Sequence, residues 1–417
     1  MKAYLITIGD EILIGQTVNT NVSFIGEKLT EIDVQVIKST VIADDHNIII
    51  DEFKEAFSKA DVIIVTGGLG PTHDDVTKKC ISEFFNSELV MNESILSDVK
   101  ELFIKRGREI TKINEEQALI PKIAKAIRNP NGTAPGIYIE KEGKVFVAMP
   151  GVPFEMHYML EENVIPALSE LNSVKVETSK TLNLLTTGIP ESFLYQRLGD
   201  IDELLNGSRL AFLPNQFGVK MRITSKGKTE EEASNKLLEI EQKIRSLVGR
   251  YVYGKNNDSL EEVIAKLLVD RGLKLSVAES CTGGLISNRL TNIPGSSAFF
   301  ERGLITYSNG AKVEHLNVSE DAIAEFGAVS LQVAQQMAEG IRAVSGTDLG
   351  LAVTGIMGPG GGSADKPIGL VYIGVCDNSV VTAKEFKFGD NRLLNKDRTS
   401  QAALEMLRRF LLGIPND

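Results

Sequence analysis

Through the first 170 residues, short apolar runs alternate with stretches whose apolar positions recur at helical spacing. Residues 3–8 (AYLITI) form an apolar run, and residues 19–31 place Val22, Ile25 and Leu29 on one face of a helix. Residues 34–42 read as a second strand and 47–59 as a second helix. DVIIVT, residues 61–66, is almost wholly apolar, as a strand covered on both faces must be. It runs into GGLGPTHDD and a helix over 76–85. This βαβαβα order predicts a doubly wound parallel sheet with its site beyond the strand C-termini. Helices are then expected over 93–105 and 115–126, a hairpin over 136–148 and a closing helix over 153–171.

The pattern changes after residue 172. A strand at 180–185, a helix at 191–205, strands at 209–213 and 219–224 and a helix at 230–248 make a small α+β module in βαββα, KH-like order. It contains no GxxG, which a nucleic-acid-gripping KH loop needs, so it reads as a spacer or interface domain. GKNND (254–258) reads as a linker, and Ser259 as the cap of a helix over 260–270. Alternation of strand and helix then resumes. Strands are expected at 273–278, 301–306 and 348–353, a strand pair at 369–376 and 380–388, and helices at 309–315, 331–344 and 396–412. A further helix is expected to follow residue 280 at once. The fold class is α/β, with domains at 1–172, 173–254 and 255–417.

Charge and composition narrow the function. A net charge of −11 argues against broad nucleic-acid binding. Cys80, Cys281 and Cys376 are too dispersed for a disulfide framework or a CxxC metal site, and four histidines without an HxxxH or HExxH pair do not build a zinc centre. No apolar run approaches the roughly 20 residues that span a bilayer. MKAYLITIGDEILIG turns acidic too early for a signal peptide, so a cytoplasmic protein is expected.

Candidate chemistry concentrates in the third domain. In LKLSVAESCTGG, Ser280 sits where a strand becomes a helix, beside free backbone N–H groups and the positive end of a helix dipole. A hydroxyl there is either an N-cap or a nucleophile beside an oxyanion site. TYSNGAK supplies Tyr307 and Lys312, and a buried lysine can lose its proton and act as a base. The arrangement is not an SxxK dyad, because Gly283 stands where that lysine would be. TGIMGPGGGS (354–363) exposes backbone N–H groups to an anion, and Arg392 and Arg398 in FGDNRLLNKDR offer guanidinium forks suited to phosphate. In the first domain Gly67, Gly68 and Gly70 expose backbone at a sheet edge, with Asp44 and Asp75 near strand ends.

AESCTGG, TYSNxxK, TGIxGPGGG and the distal FGDNR resemble the C-terminal domain of the competence/damage-inducible CinA family, which is similar to nicotinamide-mononucleotide amidohydrolases. TIGDEILIGQTVNTN, IADD and TGGLGPTHDDVT resemble the molybdopterin-binding, MoaB/MogA-like fold, and MPGVPFEM is more particular to CinA proteins. The resemblance implies a doubly wound molybdopterin-binding-like N-domain and an α/β amidohydrolase C-domain. It implies hydrolysis of nicotinamide mononucleotide to nicotinate mononucleotide and ammonia, with no cofactor. Ser280 would be the nucleophile, Lys312 its base, and Tyr307 would relay or hold the proton. Backbone amides around Cys281, Thr282, Gly283 and Gly284 would hold the oxyanion. Asn309, Thr354, Gly355, Gly358, Gly360, Gly361 and Arg392 would bind the nucleotide. Family members usually carry alanine where Met357 stands, and the larger side chain is expected to narrow the pocket. For the N-domain the resemblance implies an ADP-ribose pyrophosphatase, with a divalent metal held by Asp44 and Asp75 and with His73 a loop residue rather than a ligand. A homodimer acting on small nucleotides, with no nucleic-acid or membrane partner, is expected. The alternative is a non-catalytic regulatory protein that binds a pterin or nucleotide.

Overall fold

The structure, a computed structural model, describes residues 1–72, 75–172 and 178–415. It forms two compact bodies, residues 1–179 with 227–230, and residues 180–226 with 231–417. Among the described residues no helix is long and apolar enough to cross a membrane.

In the first body, strands β1 (Lys2–Ile8), β2 (Gln35–Ile42), β3 (Val62–Thr66), β4 (Leu89–Met91), β5 (Leu119–Pro121), β6 (Lys125–Ile127), β7 (Gly136–Lys141) and β8 (Lys144–Met149) follow in order. The main sheet runs β2-β1-β3-β8-β7-β6. Its first four strands are parallel, and the hairpin expected over 136–148 sets β7 antiparallel to β8, with β6 antiparallel to β7 at that edge. The cause is the tight turn Glu142-Gly143, both at positive φ, which folds β7 straight back on β8. Apolar layers cover both faces. Ile63 and Val65 meet Ile49 and Phe53, while Val62 and Ile64 meet Leu29, Met156 and Leu160. That double burial is why β3 is apolar from Val62 to Val65.

The helix expected over 115–126 does not exist. A one-turn helix, Lys112–Glu115, passes through a 3-10 turn into β5, which pairs antiparallel with β4, and β6 then joins the main sheet. Pro121 has no N–H for a helical ladder, and the isoleucines at 120 and 127 suit strands. The closing helix runs to Leu171 but is π-helical over Leu160–Val164. Pro166 has no N–H to give to residue 162, and the wider turn absorbs that loss.

The second body opens with strands β9 (Thr178–Thr186), β10 (Arg209–Asn215), β11 (Gly218–Gly227) and β12 (Val252–Lys255), ordered β10-β11-β9-β12 around their own apolar core. The helix expected over 191–205 is two, Glu191–Leu198 and Ile201–Leu205. The Asp200 carboxylate accepts from the amides of Asp202 and Glu203 and starts the second.

Strands β13 (Leu275–Glu279), β14 (Phe300–Ile305), β15 (Leu349–Gly355), β16 (Leu370–Cys376) and β17 (Val381–Lys387) form the last sheet, ordered β14-β13-β15-β16-β17. β14, β13 and β15 are parallel, so their C-terminal ends share one edge, with Glu279 level with Ile305 and Val353. The helix Leu331–Ser345 covers one face. The helices Leu260–Asp270 and Arg392–Leu412 cover the other. Ser259 and Glu262 cap the first of these reciprocally, as their spacing predicts.

Candidate active site

β13 ends at Glu279, and the Ser280 amide still donates to the Val353 carbonyl at 3.1 Å. The expected immediate helix is delayed. Residues 281–284 form a turn, and the helix is Leu285–Thr291. Gly284, at φ 96°, holds a left-handed conformation that a side chain would strain. The fully buried Glu279 carboxylate then takes the helix N-terminus. It accepts from the amides of Gly284 at 2.9 Å, Ile286 at 3.1 Å and Ser287 at 2.8 Å, and from the Ser287 hydroxyl at 2.7 Å. Four donors and the helix dipole compensate a charge that burial alone would forbid. The sequence reading passed over Glu279, although an acid just ahead of a helix start is itself a capping signal.

The same contacts correct the oxyanion set. The Gly284 amide is committed to Glu279, whereas the amides of Cys281, Thr282 and Gly283 donate to no carbonyl or carboxylate among the described residues. The Cys281 side chain packs in the core, so that residue faces the site only through its backbone. Thr282 is buried, with its hydroxyl unpartnered among the described residues.

Lys312 lies on the first turn of the helix Asn309–Leu316, which Ser308 caps through the Ala311 amide at 3.1 Å. The lysine is 1 % exposed. Its Nζ stands 3.1 Å from Ser280 Oγ, 2.9 Å from the Thr306 carbonyl and 3.3 Å from the Tyr307 carbonyl. Burial pushes its pKa below the ordinary 10.5. The neighbouring Cys281 would oppose this only as a thiolate, and burial holds that thiol up at about 12. In its neutral form the amine would give its two N–H bonds to the two carbonyls and keep a lone pair for the serine proton.

Tyr307 needs correction. Its ring is 63 % exposed, its carbonyl rather than its hydroxyl meets Lys312, and its hydroxyl accepts from Arg392 at 3.3 Å. It therefore does not stand between the serine and the lysine. Arg392 also donates to the Gly358 carbonyl at 2.9 Å, joining Tyr307 to the glycine loop. Asn309 is the exposed first residue of its helix. The Thr354 hydroxyl, expected to meet substrate, donates instead to the Ala328 carbonyl at 2.8 Å and holds the loop in place. Gly355 ends β15 opposite Val371, and Gly360 has open space about it, as does most of Gly361. Met357 does not narrow a pocket. It is 3 % exposed and packs in the core that includes Cys281 and Leu404.

Two residues on the C-terminal helix escaped the sequence reading. Buried Asn395 donates to the Met357 carbonyl at 3.0 Å and the Gly389 carbonyl at 2.8 Å, pinning the loop. Lys396 brings its Nζ to 3.6 Å from where a Cβ on Gly283 would stand, so a cation overlooks the turn after Ser280. Its signal was the four-residue spacing from Arg392, which puts both cations on one helix face.

In the first body a cavity of about 460 Å³ opens at the C-terminal ends of β1 and β3, lined by Thr7, Thr66, Gly67, Gly68, Gly70, Asp44 and Asp75 among others. A Cβ on Gly68, at φ 66°, would come within 2.0 Å of Thr77 Oγ1, so only glycine fits. Burial, and then the negative charges of Asp10, Glu11 and Asp75, raise the Asp44 pKa. Asp75 accepts from the Thr72 amide at 2.9 Å and from its hydroxyl. Among the described residues no three histidine, cysteine, aspartate or glutamate side chains converge as a closed metal site, and His73 lies outside the described residues. Asn21, also unforeseen, lines this cavity. Its amide nitrogen donates to the Gly151 carbonyl at 2.7 Å, and its oxygen is buried without a partner among the described residues.

Comparison with known proteins covers nearly the whole chain. Residues 4–170 match the family described as the probable molybdopterin binding domain, 179–254 the damage-inducible protein CinA KH domain, and 257–411 the CinA C-terminal domain. A competence-damage inducible protein of Caldicellulosiruptor saccharolyticus is 42% identical over 413 residues, covering 99% of this chain and 100% of that one. A CinA-like protein of Chloroherpeton thalassium is 43% identical over 420 residues, covering 99% of each. The crystal structure of the competence/damage inducible protein CihA from Agrobacterium tumefaciens is 44% identical, covering 37% of this chain and 97% of that one with a TM-score of 0.35.

Proposed function

The chain belongs to the CinA family, and from that premise we propose that its C-terminal domain hydrolyses the carboxamide of nicotinamide mononucleotide. The observation that carries this reading is the buried Lys312 amine, 3.1 Å from the Ser280 hydroxyl and in contact with two carbonyls but no carboxylate. Ser280 Oγ attacks the amide carbon while its proton passes to Lys312. The amides of Cys281, Thr282 and Gly283 receive the oxyanion. Collapse breaks the C–N bond, with Lys312 returning the proton to the departing nitrogen, and ammonia leaves. Water, deprotonated by the same amine, cleaves the Ser280 ester and releases nicotinate mononucleotide. Buried Met357 takes away the steric reason for expecting an inert, purely ligand-binding domain.

Arg392 and Lys396 hold the substrate phosphate in this reading. Changing either to alanine is expected to raise KM about tenfold while kcat changes less, because such contacts act alike on bound substrate and transition state. Steady-state ammonia release against substrate concentration measures this, and a loss confined to kcat would contradict it.

The N-terminal domain, in the same proposal, cleaves the diphosphate of ADP-ribose with water to give AMP and ribose 5-phosphate. Burial first, and then the carboxylates of Asp10, Glu11 and Asp75, disfavour the Asp44 charge, which a hard divalent cation would offset, and a carboxylate pair suits such an ion. Asp44 and Asp75 would hold it together with ligand oxygens, and the ion would offset diphosphate charge. Thr7, Thr66 and the glycine backbone would orient the substrate. Asp44→Asn is expected to lower metal-stimulated AMP formation about 100-fold and to leave ammonia release unchanged. Equal AMP formation by variant and parent, followed by chromatography, would sink the metal assignment.

A further inference from the structure

A second cavity, of about 540 Å³, lies in the second body between the KH-like sheet and the C-terminal helix, and it shares no lining residue with the Ser280 site. Its volume is in the range of small-molecule sites. One wall is aromatic. Phe386 and Phe388 lie with ring planes 9° apart and centroids 6.1 Å apart, and Phe217 faces the cavity from the turn between β10 and β11.

The walls are tied to one another. Buried Gln401 donates to the Thr187 hydroxyl at 3.2 Å, and that hydroxyl donates to the Phe217 carbonyl at 2.8 Å. Arg289 donates to Gln401 Oε1 at 2.7 Å, and its guanidinium lies 5.3 Å from the Phe217 ring centroid. A cavity braced this way needs little ordering to accept a ligand.

Its charges are unequally committed. Glu405 is neutralised by Arg408 at 2.7 and 2.9 Å and by Arg409 at 2.6 Å. Arg398, on the same helix, makes no ion pair or hydrogen bond among the described residues. An aromatic wall and a guanidinium lining the same cavity fit a flat ring that carries an anionic group. We propose that this cleft binds a planar aromatic anion of nucleotide size, at a site separate from the catalytic serine. The helix that supplies Arg398 and Gln401 also supplies Arg392 and Lys396, so a ligand here would touch an element of the first site. The proposal does not depend on which reaction that site performs.

The chain has no tryptophan, so Phe388→Trp would place a single indole on the aromatic wall. Titration with AMP is expected to quench that indole saturably. Adding Arg398→Glu should weaken the apparent affinity at least tenfold. In the parent protein, hydrogen exchange at 187–190 and 214–219 should slow with AMP, which keeps the test independent of the tryptophan variant. Linear, non-saturating quenching, equal affinity with and without Arg398→Glu, or AMP protection that misses both segments would overturn the proposal.

Discussion

Changing Lys312 to methionine is expected to abolish ammonia release, by about 10³-fold or more, and at the same time to raise the melting temperature. The two effects share one cause. The lysine is 1 % exposed and has no carboxylate partner among the described residues, so its charged form is disfavoured in the folded chain and its pKa falls below 10.5. The unfolded chain holds that proton at neutral pH. Folding must therefore expel it or bury a charge. This cost is fully present below the lowered pKa and disappears as pH rises towards the unfolded value of 10.5. Methionine escapes the cost, although the carbonyls of Thr306 and Tyr307 lose a donor. We expect a net gain of roughly 1 kcal/mol at neutral pH, shrinking as pH rises. Thermal melts of both proteins across pH measure the sign. A methionine variant less stable at neutral pH than at pH 10, relative to parent, would show that the amine is not held neutral. In the parent, kcat/KM should climb with pH along a limb whose midpoint is below 10.5.

Ser280→Ala is expected to cost more than any other single change in catalysis, about 10³- to 10⁶-fold in kcat, with substrate affinity nearly kept. Alanine loses only the Oγ contact with Lys312, while the hydrogen bond from the Ser280 amide to the Val353 carbonyl belongs to the backbone and remains. Calorimetry with nicotinamide mononucleotide should therefore show binding without ammonia. Ser280 and Lys312 act as one unit, so the double variant should be no slower than the worse single variant. Additive losses would mean that the two groups work independently.

Much of this site could be read in advance because its geometry follows from strand order. β14 runs parallel to β13 in a register that sets Ile305 beside Glu279, and so brings the residues after each strand to one edge. Apolar spacing locates the strands and helices, while the meeting of Ser280 with Lys312 is what the resemblance to the CinA family implies. Neither carries backbone contacts, which is why Tyr307 was assigned a role for its hydroxyl when its carbonyl meets the lysine. Thr354 misled for a related reason, since nothing local reveals that Ala328 will accept its hydroxyl. Glu279 was hidden because an acid in a buried strand reads as an anomaly until the helix N-terminus it caps is seen. In the first body, isoleucines at 120, 123 and 127 match a helical period, and only the pairing of β5 with Leu89–Met91 and of β6 with β7 makes two short strands, with Ile123 in the turn between them. The nearly continuous apolar run before Gly67 left no such choice, because no polar face remained to expose.

A covalent ester on Ser280 is the most direct consequence of the mechanism. Rapid acid quenching of the parent protein with nicotinamide mononucleotide, followed by peptide mass analysis, should find the Ser280 peptide heavier by the substrate less ammonia. The account predicts that adduct within the first turnover, and its absence from Ser280→Ala. An unmodified Ser280 peptide at every time point while ammonia is released, or an adduct on another residue, would contradict it.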